Sequence, residues 1–398
     1  MAASRINEKK SISSLFFLDP ALDPWPTVII ILTLVLLAAG LVMVFSASMV
    51  RAMQQFAGPA YFFNRQMVFA LIGLCAMIAA ALVPVKLLRR LTGPLVIVSL
   101  IGLVVCLTSF GETVKGASRW ISFGKVQFQP SELAKLAIIF FMAHSMAKKA
   151  EKIKTVTIGF LPHLLLALVF ALLCIKEPDL GAAMMIMLLC MVMLFIGGTR
   201  LSYILFSAVP LAAAAAVVIL KSGYRRQRML AFLNPDWDPQ GINFQIKNSL
   251  IGLGSGGFLG KGIGEGKQKL LFLPDAHTDF LASIIGEEMG FIGLLLIIIA
   301  FGMLVYAGIR IALKCRTLYT MCLASGITLF LGFQVAINLG VVMSLLPTKG
   351  MTLPFMSYGG SSLLCNLFAV GILLSISRQI AARDGPAQGE RQDADRET

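Results

Sequence analysis

Ten apolar segments, separated by polar links, leave this chain little choice of fold. They run at roughly 27–50, 66–85, 93–110, 131–147, 158–175, 181–198, 203–220, 280–309, 317–342 and 361–377. A bilayer core about 30 Å thick takes about 20 helical residues to cross. Inside lipid every backbone polar group must be satisfied within the protein, and runs of this length do so as helices rather than as barrel strands. Composition agrees, with 58% hydrophobic and only 14% charged residues, where soluble domains carry about a quarter charged. The expected fold is an all-α integral membrane protein of ten transmembrane helices, occupying residues 27–377. A polar tail, 1–26, precedes it, and a second polar tail, 378–398, of the kind that stays disordered, follows. The first residues are polar and the first apolar run is long enough to stay in the bilayer, so no cleavable signal is expected.

The net charge of +14 orients the segments. Short loops rich in lysine and arginine stay in the cytoplasm. Placing the N-terminus there puts Lys86, Arg89 and Arg90, then Lys148, Lys149, Lys152 and Lys154, then Arg310, Lys314 and Arg316 on the inside. An even number of crossings returns the C-terminus to the cytoplasm. The outside loops are then 51–65, 111–130, 176–180, 221–279 and 343–360. The large loop between helices 7 and 8 carries Lys221, Arg225, Arg226, Arg228, Lys247, Lys261, Lys267 and Lys269. Long loops translocate largely regardless of charge, so the topology survives. That loop reads either as a solvated basic surface or as a site that concentrates an anionic, phosphate-bearing ligand. In a membrane protein the positive balance does not point to nucleic acid. The seven cysteines fall in or beside apolar segments and form no C-x-x-C pair, which disfavours disulfides and metal sites. No G-x-x-x-x-G-K-[ST] run supports an ATPase.

Four constellations carry chemistry. The large loop ends Leu273-Pro274-Asp275-Ala276-His277-Thr278-Asp279-Phe280, just before an apolar run. Asp279 there suits helix capping, although Thr278 could cap equally well. Glu287 and Glu288 follow about 12–14 Å further along the same helix, and carboxylates at that depth rarely face lipid. They imply a polar cavity beneath Asp279. A second group is Gly116-Ala117-Ser118-Arg119-Trp120-Ile121 with Gln127-Phe128-Gln129-Pro130-Ser131-Glu132-Leu133-Ala134-Lys135. Pro130, Ser131 and Glu132 suit a helix start, and Glu132 and Lys135 share a face and can pair. Arg119 beside Trp120 suits an interface anchor as well as a ligand contact. Third, eight glycines between Gly252 and Gly266 fit an anion nest, flexible backbone, or close contact with a helix. Fourth, Asn338 leads through Pro347-Thr348-Lys349-Gly350-Met351-Thr352-Leu353-Pro354-Phe355-Met356-Ser357-Tyr358-Gly359-Gly360-Ser361-Ser362. That is irregular backbone at the membrane edge, tolerated where protein or water satisfies it.

Asn338…Pro347-x-x-Gly350-x-x-x-Pro354-x-x-Ser357-Tyr358-Gly359-Gly360-Ser361-Ser362 resembles the signature of the SEDS family, the shape, elongation, division and sporulation proteins. The likeness extends through Gly-Ala-Ser-Arg-Trp-Ile at 116–121, Gln-Pro-Ser-Glu at 129–132, Pro-Asp-Leu-Gly at 178–181 and Ala-His-Thr-Asp-Phe at 276–280. Pro347-Thr348-Lys349-Gly350 and Gly40-Leu41-Val42-Met43 look more like the division members than the elongation members. Glu177 stands where the family pattern has glutamine.

The resemblance implies a peptidoglycan glycosyltransferase of the bacterial plasma membrane, working at the division septum with its active site on the extracytoplasmic side. Its substrate would be lipid II, a disaccharide-pentapeptide on undecaprenyl pyrophosphate. Asp279 matches the family's essential acidic position and would be the catalytic base on the acceptor GlcNAc 4-hydroxyl. Arg119, Lys349 and the basic loop would hold the leaving pyrophosphate. Glu132, Glu287 and Glu288 would shape the cavity or tune Asp279, and Lys135 and Ser357 complete the expected substrate-binding set. No cofactor is certain. A divalent cation, magnesium or manganese, could share the pyrophosphate, though no ligand cluster in the sequence demonstrates one. Expected partners are a class B penicillin-binding protein supplying transpeptidation, other division-complex membrane proteins, and membrane lipids. The rival readings are a flippase moving lipid II and a noncatalytic division scaffold.

Overall fold

The structure is a computed structural model that describes residues 23–56, 58–114, 117–124, 126–234, 241 and 243–394. Most of the N-terminal tail and the last four residues lie outside the described residues. Each of the ten apolar segments is largely helical, although those at 66–85, 93–110 and 181–198 run past the ends of their helices and the one at 158–175 begins before its own: α1 Trp25–Gln55, α2 Tyr61–Leu82, α3 Val85–Cys106, α4 Pro130–Lys148, α5 Leu161–Lys176, α6 Leu180–Ile196, α7 Leu201–Lys221, then, beyond the large loop, α10 Leu281–Lys314, α11 Leu318–Val342 and α12 Gly360–Ala394. The large loop itself contains α8 Gly223–Leu233 and α9 Asn243–Ser255. Eight of these helices are long and apolar enough to cross a membrane, α5 being counted with the turn before it and α12 through Ala381. The two of the ten outside that set are α4, 19 residues, and α6, 17 residues. The first opens with Glu132 and Lys135 and the second is brief.

The stretch 111–130, expected as a polar loop, carries an antiparallel sheet of β1 Gly111–Val114, β2 Ala117–Phe123 and β3 Val126–Phe128. Ile121 pairs with Gly111 on one side and Phe128 on the other. The sheet is pinned to the start of α12: Gln129 N–H donates to Ser361 Oγ at 3.0 Å, and that hydroxyl donates to the Gln127 carbonyl at 3.2 Å.

Packing centres on α4, which is buried along nearly its whole length from Pro130 to Met146 and lies against α3, α6 and α11. The most extensive helix pairing joins α2 and α12. A Cβ on Gly371 would lie 2.3 Å from the Met77 carbonyl oxygen, and one on Gly73 2.5 Å from Leu367. Small residues that let helix backbones approach closely are the usual device for packing in lipid, where apolar surface alone gives no drive to associate. By contrast α7 has no buried residue. Its Phe206 and Val209 are 78% and 72% exposed, which in a membrane means lipid contact.

Helix α10 is broken. Gly290 takes φ 68° and ψ −168° in its middle. The break frees backbone groups, and the glycine-rich loop satisfies them. Phe291 N–H donates to the Gly257 carbonyl at 2.8 Å and Ile292 N–H to the Phe258 carbonyl at 3.1 Å. In return Lys261 and Gly262 donate to the carbonyls of Glu287 and Glu288, each at 3.0 Å. A Cβ on Gly260, itself at φ +80°, would lie 2.2 Å from the Glu288 oxygen. Of the three readings open to this glycine run, close helix contact is the one observed. We therefore expect Gly290→Ala to cost about 1–3 kcal/mol, since it combines left-handed strain with a clash at Gly260. A thermal unfolding midpoint equal to wild type would contradict the paired break.

Candidate active site

The site lies where the large loop, the sheet and the 343–359 turn meet. Asp279 does not cap α10; the N-cap position is Phe280. Thr278 turns back instead, its hydroxyl donating to the Asp275 carbonyl at 3.1 Å. The Asp279 backbone is held from both directions. Its N–H donates to Asp275 O at 3.1 Å, and the Asn338 amide donates to its carbonyl at 2.9 Å and to Met351 O at 2.6 Å. One α11 side chain thus ties the start of α10 to the turn. The Asp279 carboxylate lies over Gly350, with Oδ2 only 2.8 Å from where a Gly350 Cβ would stand. Gly350 leaves room for the acid beside the turn.

Lys349, the next residue, reaches the other way. Its Cε and Nζ occupy the space over Gly181, where any Cβ would collide. There it meets a charged cluster. Asp179 caps α6 by accepting from Ala182 N–H at 3.0 Å and also accepts from the Gln129 amide at 3.2 Å and the Ser131 hydroxyl at 3.3 Å. Arg119, on β2, donates through Nε to the Glu177 carbonyl at 3.1 Å and through Nη2 to the Pro178 carbonyl, so the 177–179 link and the sheet are joined. Glu132 and Lys135 form a buried pair at 2.7 Å.

The electrostatics follow from burial and these neighbours. Burial raises the Asp179 carboxyl, but Arg119, the Ala182 N–H, Lys349 and Lys135 outweigh it and hold the group below its usual value. Burial depresses Lys349 to about 8, against the pull of Asp179. Glu177 is fully buried and neither carboxylate oxygen has a hydrogen-bond partner. Burial first, then Asp179, raises it to about 8.

Glu177 gives a signed prediction. Its folded pKa lies above its ordinary 4.5, so the folded state binds more protons than the unfolded state between pH 4.5 and about 8. Stability therefore falls as pH rises through that window and is flat above it. Glu177→Gln removes the penalty, worth on the order of 2 kcal/mol at pH 6. The variant's gain in melting temperature should be larger at pH 8 than at pH 5. An equal gain at both would contradict a neutral buried acid.

The remaining predicted residues are placed as follows. Glu287 and Glu288 do not line an open cavity. Glu287 accepts from Lys261 at 2.8 Å and from the backbone of Lys267 and Gln268, each at 3.0 Å. Glu288 accepts from Ser46 at 2.8 Å, Lys269 at 2.7 Å and Gly264 N–H at 3.0 Å. Ser357 pins its own turn, accepting from Leu353 N–H at 3.0 Å, while the Gln66 amide donates to its carbonyl at 3.1 Å. Arg119, Glu132, Lys135 and Lys349 gather at one place, and Asp279 joins them through Gly350. Sequence reasoning assigned no role to Asp179, Gln129 or Asn338, although each lies in a motif it singled out. It also passed over His277, buried and packed between Phe62 and Tyr358. Among the described residues no three His, Cys, Asp or Glu side chains converge to hold a metal ion.

The profile of the cell cycle protein family of FtsW, RodA and SpoVE matches residues 26–382. The chain is 46% identical to a probable peptidoglycan glycosyltransferase FtsW of Trichlorobacter lovleyi over 357 residues, covering 89% of this chain and 94% of that one. A solved chain from a peptidoglycan synthase complex that coordinates polymerization and crosslinking superposes with TM-score 0.72 at 29% identity, covering 88% of this chain and 97% of that one. The rod shape determining protein RodA of Thermus thermophilus superposes with TM-score 0.65 at 29% identity, covering 88% and 95%.

Proposed function

This chain belongs to the cell cycle protein family of FtsW, RodA and SpoVE, and from that premise we propose that it is a peptidoglycan glycosyltransferase that polymerises lipid II during septal wall synthesis. The observation that carries the reading is the adjacency of an acid and a cationic cluster. Asp279 sits over Gly350, and Lys349, its chain neighbour, points into the group of Arg119, Asp179, Glu132 and Lys135. A base and the cations for an anionic leaving group therefore flank one turn.

In the reaction the acceptor GlcNAc 4-hydroxyl attacks the MurNAc anomeric carbon of the donor. Asp279 takes the hydroxyl proton as the new C–O bond forms, a role typically worth about 10²–10⁴-fold. The bond from the anomeric carbon to the phosphate oxygen breaks, and undecaprenyl pyrophosphate leaves with the electron pair. Lys349 and Arg119 stabilise that charge through charge-assisted contacts. Lys349, depressed to about 8, is raised again when the phosphates arrive. Magnesium or manganese would share the same charge if bound there.

The topology that fits is ten crossings with both termini in the cytoplasm. Helices α4 and α6, at about 28 and 25 Å, span a core of about 30 Å with small adjustments at their ends. The site then faces outward, where the growing wall lies. Transpeptidation would come from a class B penicillin-binding protein, a reading supported by the likeness to a synthase-complex chain. The test is reconstitution of the purified protein with its transpeptidase partner and labelled lipid II. Glycan strands with release of undecaprenyl pyrophosphate are expected. Lipid II crossing the bilayer without strands would move the assignment to a flippase.

A further inference from the structure

Glu177 is a buried acid that the glycosyl transfer does not use, and it lies beside a cation that the transfer does use. It stands in the link between α5 and α6, fully buried, and neither carboxyl oxygen has a hydrogen-bond partner among the described residues. Arg119 holds its backbone instead, donating through Nε to the Glu177 carbonyl at 3.1 Å and through Nη2 to that of Pro178. The charge of this guanidinium acts on both carboxyls of the link, Glu177 and Asp179. From α3 and α5 the thiols of Cys106 and Cys174 feel the Glu177 charge. Arg225, on α8, donates to the Ile175 carbonyl at 3.3 Å, and Lys176 beside it is exposed.

We propose that Glu177 is a positioning residue for the pyrophosphate of lipid II: as a neutral acid it keeps Arg119 available to the phosphates, and once ionised it draws that guanidinium to itself. A buried carboxylate without a partner is costly. The guanidinium already at its backbone is the one placed to satisfy it, and a charge-assisted bond to a carboxylate is stronger than one to a carbonyl. The charge count points the same way. Arg119, Lys135 and Lys349 face Asp179 and Glu132 in the cluster, three cations to two carboxylates. An ionised Glu177 makes the numbers equal and removes the excess that attracts an anion. Burial first, then Asp179, keeps the proton on Glu177 up to about pH 8, and it is lost as pH rises through that value. Phosphates arriving nearby disfavour the carboxylate further, so binding and protonation support each other. Arg119 and Lys349 carry the leaving group only in the glycosyl-transfer reading, on which this inference rests.

The test follows kcat/KM for lipid II from about pH 6.5 to 9.5 in the full chain reconstituted with its transpeptidase partner, wild type beside Glu177→Gln. Each protein is normalised to its own value at the lowest pH and kept at a temperature where both stay folded. Lys349, itself depressed to about 8, titrates in both. Glu177 adds a second loss in the wild type alone, which should fall on the order of tenfold further than the variant at the highest pH. A purely structural acid would change the level of activity and not its pH dependence. Infrared difference spectra near pH 8 give a second measurement. Lipid II should strengthen the protonated-carboxyl band of the wild type beyond any change in the variant. Strands from both proteins with superimposable pH profiles overturn the inference and leave the glycosyltransferase reading standing. A carboxyl band that responds alike in both proteins does the same. No strands from either protein at any pH overturns that reading and this inference with it.

Discussion

Asp279→Asn is expected to lower the rate of glycan polymerisation by about 10²–10⁴-fold, the range lost with a positioned general base. The substitution is nearly isosteric, so the contact over Gly350 and the hydrogen bonds to the Asp279 backbone from Asn338 and toward Asp275 stay in place. The capacity to take a proton goes. Because shape and these backbone contacts are kept, the melting temperature should stay within about 2 °C of wild type. Asp279→Glu tests position rather than charge. One extra methylene pushes the carboxylate against Gly350, and a loss of more than tenfold is expected there too. A rate for Asp279→Asn within threefold of wild type would remove Asp279 from the chemistry.

Glu288→Ala is the substitution expected to cost most in stability, about 3–5 kcal/mol. Glu288 and Lys269 pair at 2.7 Å with side chains 0% and 3% exposed, and Ser46 and Gly264 complete the carboxylate's partners. Removing the acid leaves a buried ammonium uncompensated, and that desolvation rather than the lost attraction sets the size of the effect. Lys269 lies in the turn Gln268–Phe272, seven residues before Ala276 and the Asp279 segment. Loosening it frees the loop that carries Asp279. Activity should fall along with the melting temperature, and protease cleavage within 243–272 should appear. The double variant Glu288→Leu, Lys269→Met, which removes both charges, should recover at least half of the lost stability. A double variant no more stable than Glu288→Ala would show that the hydrogen bonds of Glu288, not the paired charge, hold the loop.

The sequence made the helices legible because their apolar runs are long and the links between them are charged. Asp279 stands out as a carboxylate at a loop–helix junction in a chain with few charges, and Lys349 through the Pro347-Thr348-Lys349-Gly350 motif. Other features left weaker marks. The sheet at 111–128 has strands of only three to seven residues, too short for alternation to separate from a polar loop. The break at Gly290 sits in a continuous apolar run, where one glycine reads as tolerated helix. Its meaning depends on Gly257 to Gly262 lying against it. Glu287 and Glu288 implied a polar cavity from depth alone. Their actual partners, Lys261 and Lys269, lie 26 and 19 residues away, and sequence gives no register for such a pairing. Asp179 was visible within Pro-Asp-Leu-Gly, but its place beside Lys349 depends on a fold that brings residues 170 positions apart together.

Asp279 is proposed to carry the proton and not merely to hold the substrate. The most direct measurement compares lipid II binding with single-turnover release of undecaprenyl pyrophosphate in the same reconstituted preparations of wild type and Asp279→Asn. The account predicts binding within about threefold of wild type and release slowed by at least 10². Release from bound lipid II at the wild-type rate, with the whole defect in binding, would contradict it.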